Sequence, residues 1–386
     1  MEQRRKNLTQ LFIPICLETL LYMLSGMVDT LMLSSVNDQA VGAVGTANTY
    51  IGIFIIMFSV ISSGMVAVMT QNIGAGRPGV AYQARQLGLA FNAVLGVIMS
   101  LFLSLGAGTI LSGVGVADAL MQPAKTYLQI VGGFCILNAL IPICSSYLRA
   151  FGFSKEPLYA SIIGNVINFC LNAFFLFVLH KGVAGVATAT VISRIINLVI
   201  VVLLGAVLVK AKQHPERESN RAVMGQIIRI GLPSACETAI YNVSMTLVIR
   251  FLNQMDAQGL NVTARSYTMQ ITNFSYCVGA ALAQANAIMT GWHIGAKEYD
   301  ACDRGTKKAA VIGVIVAVIL ETVFTLCSGW IMQLFSKDPQ MVSLVGKLLA
   351  IDIVLEIGRV TNLVYGQALK TSGDAVFPVV MGACFM

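Results

Sequence analysis

The chain has 386 residues, of which 56% are hydrophobic and only 11% charged, whereas soluble globular chains carry charge at about a quarter of positions. That balance excludes a soluble domain of any size and points to lipid as the solvent. The net charge of +7 does not call for nucleic acid, because the placement of Lys and Arg follows membrane topology.

Apolar runs near the ~20 residues that an α-helix needs to cross the hydrocarbon core occur at Leu8–Ser35, Val44–Asn72, Gln86–Leu111, Tyr127–Leu148, Pro157–Leu179, Val183–Val209, Ile227–Asn253, Val262–Trp292, Thr306–Leu334, Val342–Leu369 and Ala375–Met386. The expected fold class is all-α: a polytopic membrane protein with ten full spans and part of an eleventh. Arg4-Arg5-Lys6 before the first run resembles a signal start, but the run is too long and has no small-x-small cleavage site.

The first span carries Glu18 and Asp29. At about 100° per residue, Tyr22, Ser25 and Asp29 fall on the face of Glu18, so one polar stripe must look away from lipid. A rise of about 1.5 Å per residue separates the two carboxylates by about 16 Å, which makes them separate stations. Asp29 is the candidate coupling residue and a possible Na⁺ ligand; the alternative is an Asp that only bonds to neighbouring helices. Between the second and third spans, the glycine-rich Gly74–Gly79 segment follows a membrane helix instead of a strand, and reads as a helix stop and turn.

The fifth span places Asn165, Asn168 and Asn172 at i, i+3 and i+7, where they can offer oxygens to a cation or donors to Asp29; interhelical hydrogen bonding is the other reading. Residues 211–226 are polar and read as a cytoplasmic linker between an N-terminal bundle, residues 1–210, and a second one, residues 227–386. In the seventh span Glu237, Tyr241 and Ser244 repeat the stripe, with Val248 in the place of Asp29. Glu321 is a lone acid in the ninth span and reads as a structural acceptor, and Arg194 is a lone base in the sixth. In the tenth, Asp352, Glu356, Arg359 and Asn362 stand at spacings that let Arg359 pair with Glu356.

With the N-terminus inside, seventeen Lys and Arg fall on inner segments, six on outer ones and two, Arg194 and Arg359, within spans. This bias is the positive-inside pattern. Arg149 and Lys370 count with the inner segments. The chain also repeats itself. Pro14, Glu18, Thr19 and Tyr22 recur as Pro233, Glu237, Thr238 and Tyr241 at a shift of 219 (233 − 14). Ile73-Gly74-Ala75 recurs as Ile294-Gly295-Ala296, and Leu148, Gly152 and Pro157 as Leu369, Gly373 and Pro378, at 221 (294 − 73). The two-residue drift is expected in the first outer loop of the second half. Two six-span bundles of the same orientation follow, a parallel repeat. On this register about 45 residues of the second bundle are expected beyond Met386, since 53 residues follow Pro157 to Lys210 (210 − 157) and 8 follow Pro378 (386 − 378).

The nine cysteines and three histidines show no metal-ligand spacing, and no phosphate-loop lysine motif, nucleophile elbow or HExxH is present. No cofactor, no metal centre and no enzymatic activity are expected.

The residues resemble the multidrug and toxic compound extrusion (MATE) family along the whole chain. The resemblance rests on Pro14, Glu18 and the run Met27 to Met32 in the first span, on Gln71 to Gly76 after the second, on the repeated signature ending in Pro157 and Pro378, and on Glu356, Arg359 and Asn362 before Ala368-Leu369-Lys370-Thr371-Ser372-Gly373-Asp374. It implies twelve spans, a cavity between the bundles, and export of cationic or amphipathic small molecules driven by Na⁺ or H⁺ by a monomer in the plasma membrane. The chain departs from many relatives at Asn172, where an acid is common, and at Tyr241, where some carry a carboxylate. A flippase for a lipid-linked precursor is the alternative within the same superfamily, and a membrane-embedded enzyme a distant third. The flippase would want a cationic cavity, whereas the charges within the spans are mostly acidic.

Overall fold

The computed structural model describes residues 6–35, 38–113, 116, 118–210, 214–255, 260–333 and 338–385. Among these the chain is helical: α1 Leu8–Ser34, α2 Asp38–Gly74, α3 Pro78–Leu105, α4 Ala107–Gly113, α5 Asp118–Tyr127, α6 Ile136–Ala150, α7 Lys155–Ala173, α8 Gly182–Leu208, α9 Asn220–Met255, α10 Leu260–Gly295, α11 Tyr299–Leu326, α12 Ser328–Gln333, α13 Pro339–Ser372 and α14 Val376–Phe385. π-helical turns at Leu128–Gly132 and Phe174–Val178 continue α5 and α7.

The eleven expected runs are all found, with three of them broken. The third stops at Leu105 and resumes as α4; the fourth bends by 43° between Leu120–Gly132 and Ile136–Ala150, where Gly132 and Gly133 weaken the helix; the ninth ends at Leu326 and resumes as α12. Among the described residues six helices are long and apolar enough to cross a membrane, or seven if the bent pair is one span. The other long helices, α9, α10 and α13, have 36, 36 and 34 residues but carry polar side chains along their length, and their polar groups must find partners inside the protein.

The linker is shorter than its composition suggests. Helix α9 begins at Asn220, so residues 220–226 are helical, and residues 211–213 lie outside the described ones. What remains is tied down: Arg77 pairs with Glu218 at 2.5 Å, and Gln83 donates to the Glu218 carbonyl at 2.7 Å. The loop expected to hold the two-residue drift, residues 256–259, lies outside the described ones.

Packing repeats with the sequence. Helix α1 lies on α7, α2 on α3 and α6, and α3 on α6; in the same roles α9 lies on α14, α10 on α11 and α13, and α11 on α13. Across the two sets, α2 packs on α9 and α10 on α1, with α2 and α10 against each other. These crossings are close. A Cβ on Gly64 would run into the Ile227 carbonyl, and one on Gly231 into that of Val60.

The turns that follow corresponding helices share left-handed residues, Gly152 (φ 86°) after α6 and Gly373 (φ 107°) after α13. After α2 the chain turns at Gly76 (φ 74°), and after α10 at Lys297 (φ 62°), its counterpart at 221. These turns, the connection from α8 to α9 and the start of α1 share one end of the molecule, the linker end.

Candidate functional site

The polar stripe of α1 is present, and its carboxylates have separate partners. At the level nearer the linker end, Arg149 Nη2 donates to Glu18 Oε2 at 2.6 Å and Ser161 Oγ to Glu18 Oε1 at 3.4 Å. Arg149 Nη1 also reaches Gln284 Oε1 of α10 at 2.9 Å. In the second half Lys370 Nζ stands 2.7 Å from Glu237 Oε2. Glu237 is thus paired like Glu18, by residues that correspond at 221 (370 − 149). By their places in the sequence Arg149 and Lys370 count with the inner segments. Their side chains are 10% and 12% exposed and pair with Glu18 and Glu237. The signal was available, since both cations stand in the repeat register.

Farther along α1, Asp29 Oδ1 accepts from Asn172 Nδ2 at 2.6 Å, and the same amide reaches Asn168 Oδ1 at 3.2 Å. Of the two uses open to the asparagines, donation to Asp29 is the one Asn172 takes. Asn165 Nδ2 lies 3.5 Å from the Leu21 carbonyl. Arg194 of α8 donates to Asn138 Oδ1 at 2.9 Å.

Helix α1 is buried only near its ends, at Leu11, Pro14, Ile15 and Leu33. Between them Leu24, Met27 and Leu31 are exposed on one face, and Tyr22, 65% exposed, on the opposite, polar face with Glu18 and Asp29. The apolar face suits contact with lipid, and the polar face lies on the other side of the helix. In the second half Tyr241 is 40% exposed on the corresponding stripe of α9.

The α13 cluster is larger than its sequence shows. Arg359 donates to Glu356 Oε2 at 2.7 Å and to Asp352 Oδ1 at 3.5 Å, and Ser275 Oγ to Glu356 Oε1 at 3.2 Å. Glu321 joins them from α11: carboxylate oxygens of Glu321, Asp352 and Glu356 lie within 4.8 Å of one another, and all three residues are buried. Glu321 therefore sits in a buried group of like charges with Ser275 beside it, and is not the lone acid that its own span shows. Three carboxylates against one guanidinium leave an excess of negative charge that a bound cation or protons would offset. Asn362 is exposed one turn beyond Arg359.

The MatE family model matches residues 14–174 and, a second time, residues 233–386. The "Uncharacterized transporter YisQ" of Bacillus subtilis is 33% identical over 97% of this chain and 83% of its own length. The "Probable multidrug resistance protein NorM" of Thermotoga maritima is 22% identical over 98% of this chain and 82% of its own. Among solved structures, an outward-facing MATE transporter of the MOP superfamily matches with a TM-score of 0.87 at 16% identity, covering 97% of this chain and 84% of that one. A MATE transporter in the straight conformation gives 0.88 at 18% identity, covering 97% and 84%. At such identities these structures establish the fold.

Proposed function

The chain belongs to the multidrug and toxic compound extrusion family of efflux transporters, and from that premise we propose that it is a secondary antiporter. It exports cationic or amphipathic small molecules in exchange for Na⁺ or H⁺ by alternating access. The observation that carries this reading is the polar face of α1: Asp29, held by a single neutral amide from Asn172, on a face turned away from lipid. A carboxylate in low-dielectric surroundings takes up a proton or binds Na⁺, and a cationic substrate competes for the same negative field, so coupling follows from mutual exclusion. The buried carboxylate excess on α11 and α13 supports cation uptake in the second half as well. Among the described residues the inward cations Arg149 and Lys370 are set against Glu18 and Glu237, which does not favour a pyrophosphate substrate.

Two homologous bundles, joined by a cytoplasmic linker, rock about the space between them. The double family match and the repeated packing pairs support this division. The multi-pass chain sits as a monomer in the plasma membrane with its N-terminus in the cytoplasm, a placement supported by the Lys and Arg bias. The test is export of a cationic dye in proteoliposomes under an imposed Na⁺ or H⁺ gradient. Dye movement indifferent to both gradients would remove the antiport reading.

A further inference from the structure

The seam between the halves at the linker end is built of contacts that the repeat duplicates. Gln71 Nε2 donates to the Thr371 carbonyl at 2.5 Å, and Trp292 Nε1 to the Ala150 carbonyl at 2.9 Å. The donors are 221 residues apart (292 − 71), and so are the acceptors (371 − 150). Each acceptor directly follows the cation of a buried ion pair: Arg149 with Glu18 at 2.6 Å, Lys370 with Glu237 at 2.7 Å. Cation and acceptor carbonyl therefore share the last turn of α6 or of α13. A pair that fixes the one fixes the other.

One contact has no duplicate. Arg149 bonds across the seam to Gln284, whereas Ser63, which holds the position of Gln284 on α2 (284 − 221), bonds back to the Ser59 carbonyl of its own helix at 2.9 Å. The first half thus contributes a cation that serves its own carboxylate and the opposite half at once.

We propose that Arg149 and Lys370 are positioning residues for transport. By pairing with Glu18 and Glu237 they hold the ends of α6 and α13 where Trp292 and Gln71 close the linker end, and a cation that takes either carboxylate from its partner releases the seam. The release step rests on the cation-export reading above; the positioning role does not. A carboxylate engaged by an incoming cation leaves its former partner buried and unpaired, an arrangement costly enough that the partner and its helix end must move. Because Arg149 also binds Gln284, the first-half pair weighs more than the second.

Spin labels at Lys155→Cys and Tyr299→Cys, both exposed at the linker end of opposite halves, read the separation in liposomes once the native cysteines are replaced. Arg149→Gln and Glu18→Gln are each expected to move the distance distribution from short to long, Lys370→Gln to move it less, and Arg149→Lys to leave it short. The exchanged pair, Glu18→Arg with Arg149→Glu, is expected to restore the short distance, which a residue acting only through packing would not do. Unchanged distances in both neutral variants, or an exchanged pair that folds yet stays long, overturn the positioning role. Should the neutral variants fail to fold, a long distance in Arg149→Lys does the same. Tetraphenylphosphonium is expected to lengthen the distance in the unaltered protein, and its failure to do so overturns the release step alone.

Discussion

Gly74 of α2 and Gly295 of α10 make the same contact from opposite sides of the seam. The carbonyl of Trp292 sits where a Cβ on residue 74 would be, and the carbonyl of Gln71 where one on residue 295 would be. The two donors that stitch the linker end together, Gln71 and Trp292, thus also present their backbones to the two glycines. Backbone cannot step aside as a flexible side chain can, so Gly74→Ala and Gly295→Ala each force the helices apart. Overpacking of this kind costs about 1–3 kcal/mol. The apparent melting temperature in detergent is expected to fall for both, but not for Gly225→Ala, whose Cβ meets open space. Equal melting temperatures for all three would show that the seam yields without cost.

Removal of Arg359 is expected to harm the protein more than removal of any one carboxylate near it. Arg359 is bonded to both Glu356 and Asp352, and without it three buried carboxylates face one another. Breaking a buried pair costs about 3–5 kcal/mol, most of it from the charge left behind. The double change Arg359→Ala with Glu356→Gln should therefore express better than Arg359→Ala alone, and adding Glu321→Gln should recover more. Strictly additive losses of folded yield in this series would mean that the charges do not interact.

What was legible in the sequence was whatever a helix carries along itself. Hydropathy located the long helices of the described residues, and i, i+3 and i+7 spacings placed Asp29, Asn172 and the Glu356–Arg359 pair on the right faces. What helices bring to one another was not legible from spacing. Glu321 and Asp352 are 31 residues apart (352 − 321) on different helices, and nothing local shows that their oxygens approach. Arg149 lies at a helix end, where a cation ordinarily points to water. Only the fold turns it inward to Glu18. The repeat register did hold this information, because Glu18 and Arg149 shift to Glu237 and Lys370.

A smaller irregularity in the repeat gives a prediction about stability. Gly76 turns the chain after α2 with φ 74°, and Lys297 makes the corresponding turn with φ 62°. A side chain in the left-handed region is strained by about 1 kcal/mol or more, which glycine avoids. Lys297 is exposed, so Lys297→Gly removes little packing. The apparent melting temperature should rise, with transport unchanged. A fall would mean that the lysine contributes more at the helix end than its backbone costs.

The charge of Asp29 is expected to matter to transport far more than to folding. In Asp29→Asn the new amide oxygen still accepts from Asn172 Nδ2, the bond now made at 2.6 Å, and the side chain keeps its size on the polar face of α1. Expression and melting temperature should change little, since a neutral acceptor replaces a charged one in the same geometry and no partner is left unsatisfied. What is lost is the ability to alternate between a charged state and one neutralised by a proton or Na⁺. Gradient-driven dye export should then fall by about tenfold or more, equivalent to at least ~1.4 kcal/mol in the limiting step. Asn172→Asp provides the complementary case, because it places a second acid against Asp29. With two carboxylates facing each other, cation uptake should be retained and its dependence on ion concentration altered. Export at the unaltered rate in purified, well-folded Asp29→Asn would remove this carboxylate from the coupling mechanism.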